Sequence, residues 1–134
     1  SWEVQKALDN ILEEGIENVL NRHEKIAYSV RKSIEEYGLE LFLEEGYSNT
    51  VTAIKIPESI GALKLTDYML KNYNTLVATS LNQYMDTILR IGHMGENANL
   101  NKIEHVLNVL DKSLSALGFK ENGTLLNLFN KYYF

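Results

Sequence analysis

From residue 3 to residue 37 the apolar positions Val4, Leu8, Ile11, Leu12, Ile16, Val19, Leu20, Ile26, Val30 and Ile34 recur mostly at steps of three and four. Acids and bases fill the gaps, and that period is helical. Gly15 costs about 1 kcal/mol against Ala in a helix interior, so the stretch reads as one long helix or as two joined near Gly15. Gly38, just past the last periodic residue, is placed for a left-handed cap. Residues 39–43 form a short strand candidate and 44–49 (EEGYSN) a turn cluster. Residues 50–56 (TVTAIKI) are rich in β-branched side chains and end at Pro57, the only proline. A helix fits residues 62–73, with Leu63, Leu65, Tyr68, Met69 and Leu70 as its apolar positions. Residues 76–79 and 87–91 are two more short strands, separated by a polar stretch, 80–86, long enough to be a working loop. Asn99 can cap a further helix running to Leu117, with Ile103, Val106, Leu107, Leu110, Leu114 and Leu117 inward and Gly118 at its end.

The order is α-β-β-α-β-β-α. Strands this short leave no room for long parallel crossovers. The pattern therefore predicts an α+β fold: a small, mostly antiparallel sheet of three or four strands with helices mainly on one face. Residues 1–118 make this domain. Residues 119–134 (FKENGTLLNLFNKYYF) form an apolar tail that should dock, as a short helix or otherwise.

Composition narrows the function more than the fold. At 134 residues the chain is one domain long, and area scaling buries about two-thirds of its surface without staples. The longest uncharged stretch, residues 72–85, is full of Asn, Thr, Ser and Gln, so no segment spans a membrane. There are no cysteines, which excludes disulfides, thiolate metal sites and cysteine nucleophiles and fits a reducing compartment such as the cytoplasm. Residues 1–58 carry −6 and residues 59–134 carry +1, a net of −5. That balance argues against a nucleic-acid surface. The acidic half reads as a solvated helix face. Ser1, followed at once by a helical pattern, suggests a chain cut from something longer.

Three histidines invite a metal reading, but His23 and His105 have no strong second ligand at i+3 or i+4, and HExxH is absent. No metal site is expected. His93 differs, because it lies in RIGHMGEN, residues 90–97. There a cation at a strand end is followed by two glycines that permit close backbone approach. Arg90 is the only arginine after residue 58, where lysine is used six times. A planar guanidinium grips a carboxylate bidentately as an ammonium cannot. On composition alone, Arg90 is a carboxylate-binding residue or one half of a structural salt bridge. No phosphate loop, nucleophile elbow or paired-carboxylate motif is present.

The chain resembles the C-terminal small domain of the class V, fold-type-I aminotransferases that use pyridoxal phosphate, in the alanine–glyoxylate and serine–pyruvate branch. The resemblance rests on LEEGIEN (12–18), RHE (22–24), GLELF (38–42), Thr50-Val51-Thr52-Ala53 ahead of Pro57, and Leu89 to Gly95. It covers about residues 4–117. The resemblance implies that Arg90 holds the substrate α-carboxylate at the domain interface. It also implies that the Schiff-base lysine and the remaining cofactor ligands belong to a preceding large domain, so that this chain supplies no catalytic and no cofactor-binding residue. Pyridoxal phosphate is then expected in the intact enzyme and not on this chain alone. The expected partners are that large domain, an amino-acid or oxo-acid substrate, and a second copy in a homodimer. One departure stands out: many relatives carry a Gly-Gly-Leu-Gly-like loop where this chain has Thr79-Ser80-Leu81-Asn82. The alternative function is a free-standing α+β ligand-binding or dimerisation module without catalysis.

Overall fold

A computed structural model describes residues 1–43, 50–93 and 99–134, with the side chain of residue 14 left aside. The turn cluster 44–49 and residues 94–97 of the RIGHMGEN motif lie outside the described residues. Helix α1 (Trp2–Glu14) and helix α2 (Ile16–Tyr37) are separate, which decides between the two readings of the first 37 residues. Gly15 joins them at φ 89°, ψ 138°, a backbone conformation open to glycine and strained for other residues. Helix α2 stops at Gly38, whose left-handed conformation directs its N–H back to the carbonyls of Ile34 and Glu35.

Four short strands follow in one sheet: β1 (Glu40–Leu41), β2 (Val51–Lys55), β3 (Ala78–Thr79) and β4 (Ile88–Gly92), in the order β1-β2-β4-β3. Every neighbouring pair is antiparallel. Helix α3 (Ala62–Tyr73) connects β2 to β3, and helix α4 (Leu100–Ala116) follows β4. The edge strands are shorter than the pattern of residues 39–43 and 76–79 predicts. They have one partner each, and beyond their paired residues Leu43 and Leu76 are exposed.

Thr52 and Ile54 of β2, with Leu89 and Ile91 of β4, turn toward the helices, and the three apolar ones join Ile26, Val30, Ile34, Leu65, Met69, Leu107 and Leu110 in a single core. Successive side chains alternate across a sheet, so Val51, Ala53, Lys55, Ile88, Arg90 and Gly92 belong to the opposite face. Of these six only Ile88 is buried.

The C-terminal segment ends in a fifth helix, α5 (Leu125–Tyr133), packed against α2 and α4. Leu125 and Phe129 are fully buried in the common core. The element order is therefore α-α-β-β-α-β-β-α-α, one helix longer at each end than the simplest reading. Two polar links fasten α5. Asp111 on α4 accepts the Tyr37 hydroxyl at 2.8 Å through one oxygen and the Leu125 N–H at 2.9 Å through the other. Burial, then the hydrogen bond to Asp111, pushes the Tyr37 phenol well above its ordinary range. On the surface, Lys131 reaches Glu36 at 2.7 Å. Its hydrogen bond, with a second from Tyr132, lowers the Glu36 carboxyl and raises the Lys131 ammonium.

Helix α1 is the exception to this packing, since every residue from Trp2 to Glu13 is exposed. The molecule presents 8291 Å² to solvent, against about 7,000 Å² for a compact chain of this mass.

Candidate functional site

The face of the sheet turned away from the helices carries the sequence-predicted residue. Arg90 is the middle residue of β4 rather than a strand-end residue, paired with Ala53 on one side and Ala78 on the other. Two alanines as neighbours leave the guanidinium without bulky flanks. Arg90 is half-buried, and its side chain makes no hydrogen bond or ion pair with any described residue. One strand beyond Ala53, Phe42 donates its N–H to the Ala53 carbonyl at 2.9 Å. Its ring lies 5.0 Å from that of Tyr84, so an aromatic pair borders the same face.

Arg90 also lines a cleft of about 550 Å³ at the β3 edge, together with Val51, Leu76, Val77, Leu81, Ile91, Gly92, Lys102, Ile103 and Val106. Two cations face this space, and no carboxylate is among the described lining residues.

The polar stretch 80–86 is built into the structure at both ends. Ser80 donates its N–H to the Ile88 carbonyl at 3.0 Å, and residues Asn82–Tyr84 form one short 3₁₀ turn. At the far end the Asp86 carboxylate accepts from the Leu63 N–H at 3.0 Å, and its carbonyl accepts from the Ala62 N–H at 2.8 Å. Asp86 thus caps α3 from a distant part of the chain, in place of a local capping side chain. A Cβ on Gly61 would stand 2.9 Å from its carboxylate oxygen. The glycine makes room for the cap.

Nothing in the sequence marks Asp86 as a cap, because it lies more than twenty residues beyond the start of the helix it serves. The same holds for His93, read from sequence as part of a glycine-flanked motif. It is completely buried, with its Nε2 3.0 Å from the Thr52 hydroxyl and its backbone N–H donated to Thr50. Its role is to tie β4 to β2 behind Arg90. His105 sits 3.1 Å from the Thr75 hydroxyl, and His23 is half-buried on α2. The three are not brought together, and no metal-binding cluster occurs among the described residues.

No family model matches the chain. It is 39% identical over 126 residues to an uncharacterized aminotransferase of Methanocaldococcus jannaschii, covering 92% of this chain and 32% of that protein. It is 32% identical over 121 residues to the alanine–glyoxylate aminotransferase of Drosophila melanogaster, covering 87% of this chain and 31% of the relative. The crystal structure of ureidoglycine–glyoxylate aminotransferase from Bacillus subtilis superposes with a TM-score of 0.84 at 27% identity, over 93% of this chain and 33% of the other. The homologues of the chain are class V aminotransferases, and they cover most of it. It matches their C-terminal portion and spans about a third of the length of the relatives.

Within the aminotransferase frame the similarity runs further than residues 4–117. An alignment over 92% of the chain extends past Gly118. The cofactor of such enzymes makes demands that this cleft does not meet. Pyridoxal phosphate needs a lysine to form its Schiff base, a partner for its ring nitrogen and a cradle for its phosphate. The described lining is mostly aliphatic, offers no phosphate cradle, and its one lysine, Lys102, already makes an interaction within the protein, so it does not fit the cofactor by itself. It fits an anion smaller than the cofactor.

Proposed function

We propose that the protein to which this chain belongs is an aminotransferase that moves an amino group between an amino acid and a 2-oxo acid, and that Arg90 binds the substrate carboxylate. The observation that carries this reading is the Arg90 guanidinium. It is half-buried, flanked by Ala53 and Ala78, turned to the sheet face that the helices leave open, and without an ion pair among the described residues. A structural arginine in that position has a carboxylate of its own chain. A substrate arginine waits for one to arrive.

The aminotransferase relatives support pyridoxal phosphate as the cofactor, held mainly by a large domain that this chain does not contain. In that assembly the sheet face with Arg90 closes on the large domain. The guanidinium fork then fixes the substrate's carboxylate and hence the direction of its Cα–H bond, a positioning role. The bare apolar stripe of α1 supports association in a two-fold dimer. The absence of cysteine and of any described helix long and apolar enough to cross a membrane supports a cytoplasmic location.

The test is Arg90→Lys in the intact protein. The ammonium keeps the charge and loses the fork, an exchange worth about 1.5–3 kcal/mol. The kcat/KM for amino-acid donors should fall roughly ten- to a hundred-fold, mainly through KM. An unchanged kcat/KM removes Arg90 from the site.

A further inference from the structure

The cleft beside Arg90 is aliphatic over most of its wall. Leu76, Val77 and Leu81 come from the segments on either side of β3, Val51 from β2, and Ile103 and Val106 from α4. Leu76 and Leu81 are 82% and 71% exposed, so two large apolar side chains stand at its mouth with no protein partner to cover them. The polar groups are fewer. Arg90 is uncommitted among the described residues, whereas Lys102 already makes an interaction within the protein.

The backbone adds a donor. Pairing of β3 with β4 ends at Ala78, opposite Arg90. The Ile88 carbonyl bonds to the β3 side and the His93 N–H to the β2 side. Alternation along an antiparallel strand therefore turns the N–H of Gly92, itself a lining residue, toward the edge where the cleft lies. A fork and an amide at one end, with an aliphatic wall leading away, describe the binding site of an acid with one carboxylate and a hydrocarbon chain.

Size points the same way. Alanine, whose side chain is a single methyl group, leaves much of a cleft of about 550 Å³ unfilled. We infer that the cleft receives the side chain of the acid bound by Arg90, and that the substrate class is the aliphatic monocarboxylic amino acids with side chains longer than that of alanine and their 2-oxo acids. This rests on the reading of Arg90 given above. A second carboxylate has no uncommitted cation to meet, and a side chain of one carbon leaves the Leu76, Leu81 and Val106 wall wet. Each methylene moved from water onto such a wall strengthens binding about two- to fourfold, the lower figure for an open cleft.

The experiment measures kcat/KM of the intact protein with alanine, 2-aminobutyrate, norvaline, leucine and aspartate as donors, for wild type, Leu76→Asn, Leu81→Asn and Arg90→Lys. Both leucines are exposed, so the fold does not depend on them; thermal unfolding by circular dichroism checks this. The expected result is a two- to fourfold rise per carbon from alanine to norvaline or leucine, with aspartate below 2-aminobutyrate. Both leucine variants flatten the gradient, and Arg90→Lys lowers every donor alike. A flat series, or alanine or aspartate as the best donor, overturns the inference. If Arg90→Lys still lowers every donor, the reading of Arg90 survives that outcome. A gradient unaffected by either leucine variant places the side chain elsewhere and overturns the inference as well. A gradient that persists with Arg90→Lys inert overturns the carboxylate role instead. Absence of transamination with every donor overturns both.

Discussion

Replacing Asp111 by Ala tests whether the C-terminal helix is held by the carboxylate at its start. Asp111 accepts the hydroxyl of the fully buried Tyr37 at 2.8 Å and the first N–H of α5, from Leu125, at 2.9 Å. Alanine leaves the Tyr37 hydroxyl buried without a partner, which costs about 1–3 kcal/mol. It also removes the cap of α5, worth about 0.5–2 kcal/mol. The two losses share one residue and one helix, so their sum is an upper bound and about 2–4 kcal/mol is expected. Tyr37→Phe removes the donor together with the need for an acceptor and should cost only about 1 kcal/mol. In the double variant the stranded hydroxyl is gone. Asp111→Ala should therefore cost less in the Tyr37→Phe background, by roughly 1–2 kcal/mol of coupling. Urea unfolding followed by far-ultraviolet circular dichroism reads all four corners of the cycle; Trp2 lies on the exposed α1 and is a poor reporter of the core. Coupling below about 0.5 kcal/mol would refute the claim that the three-way contact holds α5 in place.

The Tyr37 phenol is raised in the fold, so the native state keeps its proton where the unfolded chain loses it. Stability from this group is present below the ordinary tyrosine value, about pH 10, and falls as pH rises above it; Tyr37→Phe should flatten that alkaline slope in urea melts taken between pH 9 and 12. Phe129→Ala should cost about 3–5 kcal/mol, because the ring is fully buried between α5 and the rest of the core; a loss under 1 kcal/mol would mean that α5 is not part of the folded unit. The stripe of Val4, Leu8 and Leu12 is exposed, so light scattering over a concentration series should show dimers, and Leu8→Lys with Leu12→Lys should return the chain to monomer. Monomers throughout would refute the proposed use of α1.

Periodicity was enough to mark residues 3–37 as helical and to place α3, α4 and the two central strands, because an amphipathic helix or a β-branched run carries its pattern in neighbouring residues. Residues 62–73 coincide with α3, and Asn99 caps α4 through its own side chain. Arg90 was legible as a candidate for a chemical reason, a lone guanidinium among lysines. The motif series around it carried the family, although residues 94–97 lie outside the described structure. What stayed hidden depends on residues far apart in the chain. Asp86 caps a helix that begins more than twenty residues earlier, His93 bonds to Thr52, and Asp111 gathers Tyr37 and Leu125 from two other elements. Side-chain capping across such distances leaves no local spacing to read. The lengths of β1 and β3 were equally invisible, since an edge strand extends only as far as its one neighbour pairs with it. The sequence alone determined that the last sixteen residues are too apolar to stay in water. Only the tertiary structure decided that they cover α2 and α4 and leave α1 bare, because the buried face of a helix is chosen by the surfaces that fit it.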